Sequence, residues 1–96
     1  MMTGAALEVS EPAGMRWTIK AKTEVLKIYE GYAYQVAYYL LQSEEGALAA
    51  AKEALLELYG SEPFYEAAPQ EREKRVKATA VRHALKVRSR GAHEEA

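Results

Sequence analysis

Residues 28–60 read IYEGYAYQVAYYLLQSEEGALAAAKEALLELYG, and this stretch decides the fold. From Thr23 to Gln42, apolar side chains recur at spacings of three and four: Val25, Tyr29, Tyr32, Val36 and then Tyr39 or Leu40. At about 100° per residue they share one face of a helix, which predicts a helix over 20–42 with that face toward a core. Tyr34, Tyr38 and Leu41 fall on the opposite side, so the helix carries a second apolar stripe. Gly31 stands inside it at about 1 kcal/mol relative to Ala, a cost that close approach of a neighbouring helix would explain. A break is expected at Gln42 and Ser43. There the serine hydroxyl can cap the next helix, and Glu44 and Glu45 favour its positive end. That second helix is predicted over 44–59, with Ala47, Ala51, Leu55 and Leu58 inward and Gly60 as a left-handed terminator.

Outward from this pair, residues 61–69 (SEPFYEAAP) form a connection. Pro63 and Pro69 can each begin a turn of helix there, and Phe64 or Tyr65 can cover the bundle end. A third long helix is expected from Pro69 to Arg90, stopped by Gly91, with Val76, Ala80, His83 or Ala84, and Val87 as its core line. Residues 1–15 have no sustained period and are expected as a flexible arm, and residues 92–96 as a frayed tail. The expectation is an all-α chain in which residues 16–91 make one small three- to four-helix bundle.

Composition agrees with this and narrows the function. Ninety-six residues hold one small domain, and 18 of them are alanine, so the core is thin. There is no cysteine, which excludes disulfides and thiolate chemistry. All 14 acids are Glu and there is no Asn, so the usual calcium-loop and Asx-turn residues are missing. No apolar run nears the roughly 20 residues that cross a bilayer, and no signal peptide is readable at the N-terminus. The expected setting is the cytoplasm, with no membrane partner.

Catalytic patterns are missing. His83 and His93 have neither the spacing nor the Cys or Asp neighbours of a metal site. Ser10, Ser43, Ser61 and Ser89 lack a nucleophile turn, and the glycines never fall in a phosphate-cradling order. No enzyme activity, cofactor, metal or small-molecule substrate is expected. His83 reads as a packed histidine with one satisfied nitrogen.

Charge is distributed unevenly. Residues 1–70 carry 5 basic and 10 acidic side chains, a net of −5, whereas residues 71–96 carry 8 and 4, a net of +4. On the third long helix Arg75, Arg82, Lys86 and Arg90 follow one another at 7, 4 and 4 residues, with Arg72 at the edge and Arg88 on the other flank. Such a stripe can neutralise phosphates without reading bases, which makes these six residues candidates for nucleic-acid contact. The alternative is a solvated surface, or pairing with the acidic first two helices.

Residues 28–60, followed by VKATAVRHALKVRSR at residues 76–90, resemble the conserved helical domain of small bacterial sigma factors of the extracytoplasmic-function type. That domain binds RNA polymerase and melts the promoter. Leu40 and Leu41 stand at the family's paired leucines, Ser43 at its turn acid, Ala47 at its alanine and Tyr59 at the aromatic closing the helix. Arg75, Val76, Thr79 and Ala80 echo its Trp-Leu-x-x-Ile-Ala pattern, with Ala84, Leu85, Arg88 and Arg90 in register. The chain departs from the family at Leu48, Ala49 and Lys52, which replace two acids and a glutamine of the polymerase-docking surface. Arg75 and Arg82 replace a tryptophan and an asparagine of the melting surface, and no second promoter-reading domain is expected. The resemblance therefore implies a transcription-related accessory, with DNA or RNA polymerase as partner, in place of a working initiation factor. Read from the residues alone, the other expectation is a helical interaction module or homodimer. Its partner face would be Tyr34, Tyr38 and Leu41, together with Leu48 and Lys52.

Overall fold

A computed structural model describes residues 17–95 of the chain, with side chains through Arg90. It is all-helical. Helices α1 (Ile19–Leu41), α2 (Glu44–Tyr59), α3 (Glu62–Glu66) and α4 (Pro69–Glu95) follow in order, and no strand occurs among the described residues. The three long helices pack mutually, and short α3 rests on α4. Residues 1–15, read as an arm, lie outside the described residues.

Local chemistry accounts for most of the helix ends. Thr18 accepts a hydrogen bond from the Ala21 N–H at 3.1 Å and opens α1. Ser43 does the same for α2, accepting from the Gly46 N–H at 3.1 Å, as its position predicts. The left-handed residue is found at Gln42 (φ 54°), not at Gly60, whose φ of −88° is ordinary. Gln42 tolerates this because its N–H closes on the Tyr38 carbonyl at 2.7 Å and its Nε2 donates to the Tyr39 carbonyl at 3.0 Å. Gly60 instead donates to the Glu57 carbonyl at 3.2 Å, a tight last turn that needs no positive φ. The stop expected at Gly91 is absent, and α4 runs through it to Glu95, including residues expected as a frayed tail. A lone glycine costs a helix about 1 kcal/mol but does not end it without a proline or a left-handed turn behind it.

The core is built on alanine. Leu26, Ala33 and Ala37 of α1 meet Ala47, Ala50, Ala51, Ala54 and Leu58 of α2 and Val76, Ala80 and Ala84 of α4, all buried. The α1 stripe predicted as its core face flanks this line. Val25, Tyr29, Tyr32, Val36 and Leu40 are half-buried, and Tyr39 is 79% exposed. Small side chains take the centre because three helices can then approach closely, and the larger residues fill the margins. Of the bulky side chains, Phe64 and Tyr65 of α3 and Val76 are wholly buried, so both α3 aromatics plug the bundle end.

Gly31 does not mediate a close helix approach: nothing lies within 4 Å of where its Cβ would be. Space is tighter at Gly46, where a Cβ would stand 3.3 Å from the Leu41 side chain and 3.4 Å from Ser43 Oγ at the α1–α2 turn.

Candidate functional site

The α2–α4 seam holds a continuous polar chain. Arg82 on α4 grips Glu57 on α2 with two hydrogen bonds, Nη1 to Oε1 at 3.0 Å and Nη2 to Oε2 at 2.6 Å. The same Glu57 Oε1 lies 2.8 Å from His83 Nε2, and the other ring nitrogen, Nδ1, lies 3.3 Å from Glu53 Oε1. Arg90 Nη2 closes the chain 3.7 Å from Glu53 Oε2. The spacing on each helix makes this possible: Glu53 and Glu57 are i, i+4 on α2, and His83 and Arg90 are one turn pair apart on α4. The hydrogen bond from Arg82, then that from His83, holds the Glu57 carboxyl well below the usual range, at about 2. The Arg82 guanidinium is pushed up by the same contact.

His83 is thus packed, as read from sequence, but both of its nitrogens face carboxylates, not one. A neutral ring can donate to only one of them. The glutamates were the missed half of this site. Their i, i+4 spacing on α2 was visible, but nothing in the chain showed that α4 would lie against it.

The six candidate cations are dispersed in role. Arg72 turns inward: Nη2 donates to the Tyr65 carbonyl at 2.7 Å, Nε donates to the Phe64 carbonyl at 3.4 Å, and the guanidinium lies 5.7 Å from the Trp17 ring. Arg88 donates to the Leu40 carbonyl at 3.1 Å, at the end of α1. Arg82 and Arg90 are held by the α2 glutamates, and Arg75 sits 3.5 Å from Glu71 one turn earlier. Lys86 is exposed.

A second feature is a trough between α1 and α2. One part is lined by Glu30, Gly31 and Tyr34 of α1 with Leu48, Ala51 and Lys52 of α2. Lys52 and Leu55 continue it toward Leu56, Tyr59 and Leu26. Leu48 is 52% exposed and Leu56 74%. Tyr34 and Tyr38 stack on each other beside it, with centroids 6.0 Å apart and planes at 19°. Leu41, grouped with them from sequence, instead packs on the Ala37, Ala47, Ala50 and Ala84 cluster. Trp17 lies away from this stripe and packs on Tyr65, 5.3 Å between centroids, at the bundle end.

Among the described residues no three His, Cys, Asp or Glu side chains converge so as to hold a metal ion, and no helix is long and apolar enough to cross a membrane. No family model matches the chain, and no curated protein or solved structure matches it either.

Proposed function

We propose that this chain is a helical protein–protein interaction module whose working surface is the trough between α1 and α2. The observation that carries this reading is the line of Leu48, Lys52, Leu55, Leu56 and Tyr59 along one flank of α2, apart from the buried alanine line of the same helix. Large aliphatic side chains aligned and open to water on so small a domain are what an interaction face provides. Leu48 and Lys52, which replace an acid and a glutamine of the polymerase-docking surface in the sigma-type resemblance, lie on this face too, so the partner it fits is of a different chemistry from the one that surface binds.

A transcription-related accessory touching DNA through α4 is the second reading. Exposed Lys86 and the outer parts of Arg75, Arg82 and Arg90 favour it. Against it stand the intrachain contacts of Arg72, Arg82, Arg88 and Arg90, each of which phosphate binding would have to compete with or forgo.

Two measurements separate the readings. Heparin retention that falls steeply with salt and disappears in Arg75→Ala/Lys86→Ala overturns the interaction reading. Association with a protein partner, own or foreign, that survives nuclease, is lost in Leu48→Glu/Leu56→Glu and is kept in Arg75→Ala/Lys86→Ala is the expected result.

A further inference from the structure

We propose that the occupant of the α1–α2 trough is a second copy of this chain, docked with its α2 antiparallel to the first. This rests on the interaction reading above and names the partner.

Take a two-fold axis crossing α2 between Glu53 and Ala54. Leu48 then lies as far before the axis as Tyr59 lies after it, and the same holds for Lys52 with Leu55 and for Ala51 with Leu56. Every one of these six residues lines the trough. A two-fold contact makes each patch meet its own image, so a surface suited to it must be complementary to itself under reversal. Here the most projecting side chain, Leu56, falls opposite Ala51, which is 5% exposed and forms part of the floor. Beside Ala51 lies Gly31, where no atom stands within 4 Å of a would-be Cβ. A projecting leucine thus meets a recess made of an alanine and a glycine, the knob-and-hole relation of packed helices.

Charge points the same way. The trough carries one acid, Glu30, on its α1 wall and one base, Lys52, on its α2 wall. Both are exposed, and among the described residues neither has an ion-pair or hydrogen-bond partner. An isologous contact brings Glu30 of each copy toward Lys52 of the other, forming two opposite-sign pairs that offset the approach of the two Lys52 side chains on either side of the axis. A strongly acidic or basic partner would find only one matching charge and one opposing charge.

The test uses the full chain. Sedimentation equilibrium over about 1 μM to about 1 mM, the span in which modest interfaces assemble, is expected to show mass rising from 10.7 kDa toward twice that value. Leu56→Glu is expected to weaken the dimer by at least about 30-fold, as for a central interface side chain. Because Leu56 is exposed in the single chain, helical circular dichroism should be unchanged. Glu30→Lys and Lys52→Glu should each weaken association, and the two together should restore it. A mass that stays at 10.7 kDa throughout overturns the proposal. So does a dimer indifferent to Leu56→Glu, and one not restored by the charge exchange overturns the antiparallel register. If the chain is monomeric yet Leu56→Glu still abolishes capture of a foreign protein, the second copy is excluded and the interaction reading stands. If Leu56→Glu changes neither, both fall.

Discussion

Glu57 receives Arg82 and His83 on the same carboxylate, with Oε1 shared between Arg82 Nη1 at 3.0 Å and His83 Nε2 at 2.8 Å. This one side chain therefore fastens two consecutive residues of α4 to α2, and Glu53 repeats the arrangement one turn earlier with His83 and Arg90. In a bundle whose centre is mostly alanine, side-chain interlocking is weak. The polar chain adds a directional link between α2 and α4 at defined positions along both helices.

Acid should reveal this. The Glu57 carboxyl is held at about 2, below its unfolded value of about 4.3. A depressed carboxylate contributes stability that is present above the unfolded value and lost as pH falls through the folded one. Thermal midpoints of the natural chain should therefore decline between about pH 4.3 and pH 2. Glu57→Gln should start lower at pH 7 and decline less over that window, so the two curves converge in acid. Parallel curves would show that Glu57 is not the group responsible. The side chain is partly exposed, so the effect is screened by water and should shrink in high salt.

The two glycines of α1 and α2 should answer differently to the same change. Gly31→Ala adds a methyl where nothing lies within 4 Å, so it gains helix propensity of about 1 kcal/mol, raising Tm by about 4–8 °C in a domain of this size. At Gly46 the methyl would come 3.3 Å from Leu41, which must move. Gly46→Ala should gain less than Gly31→Ala, and Gly46→Val should lower Tm. Calorimetry of the three variants checks the order.

These positions also show what the sequence made legible. The helices, the cap at Ser43 and the plug at Phe64 and Tyr65 follow from periodicity and local hydrogen-bonding chemistry, which act within a few residues. The central line did not. Val25, Tyr29, Tyr32 and Val36 have the right period and lie only at the margin, because period alone cannot distinguish the line facing one helix from the groove between two. Ala33 and Ala37 occupy the centre for their smallness, which hydropathy underrates. Lys22 is a sharper case. It is buried, with Nζ 4.9 Å from the Tyr59 ring and 5.6 Å from the Tyr65 ring, a cage assembled from three elements that no single stretch encodes. Partners of the α4 cations were hidden for the same reason: each lies 7 to 48 residues away, save Glu71 beside Arg75.

Tyr65 gives an alkaline counterpart. Burial first, and the neighbouring Tyr59 second, push its phenol up to about 12, and its hydroxyl donates to the Tyr59 carbonyl at 3.2 Å. A raised value means the neutral ring is the form the fold prefers. Stability is whole below the unfolded value of about 10 and is lost as pH climbs toward 12. Ultraviolet titration should show one of the seven tyrosines ionising last, together with loss of helix. In Tyr65→Phe that late step should vanish, with a cost near pH 7 of about 1 kcal/mol for the hydrogen bond.

Arg72 allows a structural role to be told from a nucleic-acid role by experiment. Its guanidinium donates from Nη2 and Nε to two successive carbonyls at the end of α3 while lying 5.7 Å from the Trp17 ring. A planar fork can satisfy two acceptors and face an aromatic at once; an ammonium, with one point of charge, cannot hold that geometry. Arg72→Lys keeps the charge and should still lower Tm by several degrees, because the α3 carbonyls lose a partner while partly buried. Trp17 is the only tryptophan and packs 5.3 Å from Tyr65, so its emission should shift red as the bundle end loosens. A cation serving only phosphate would behave in the opposite way. Arg72→Lys would then leave Tm and Trp17 emission untouched, and Arg72→Ala would reduce the salt needed to elute the chain from heparin without destabilising it.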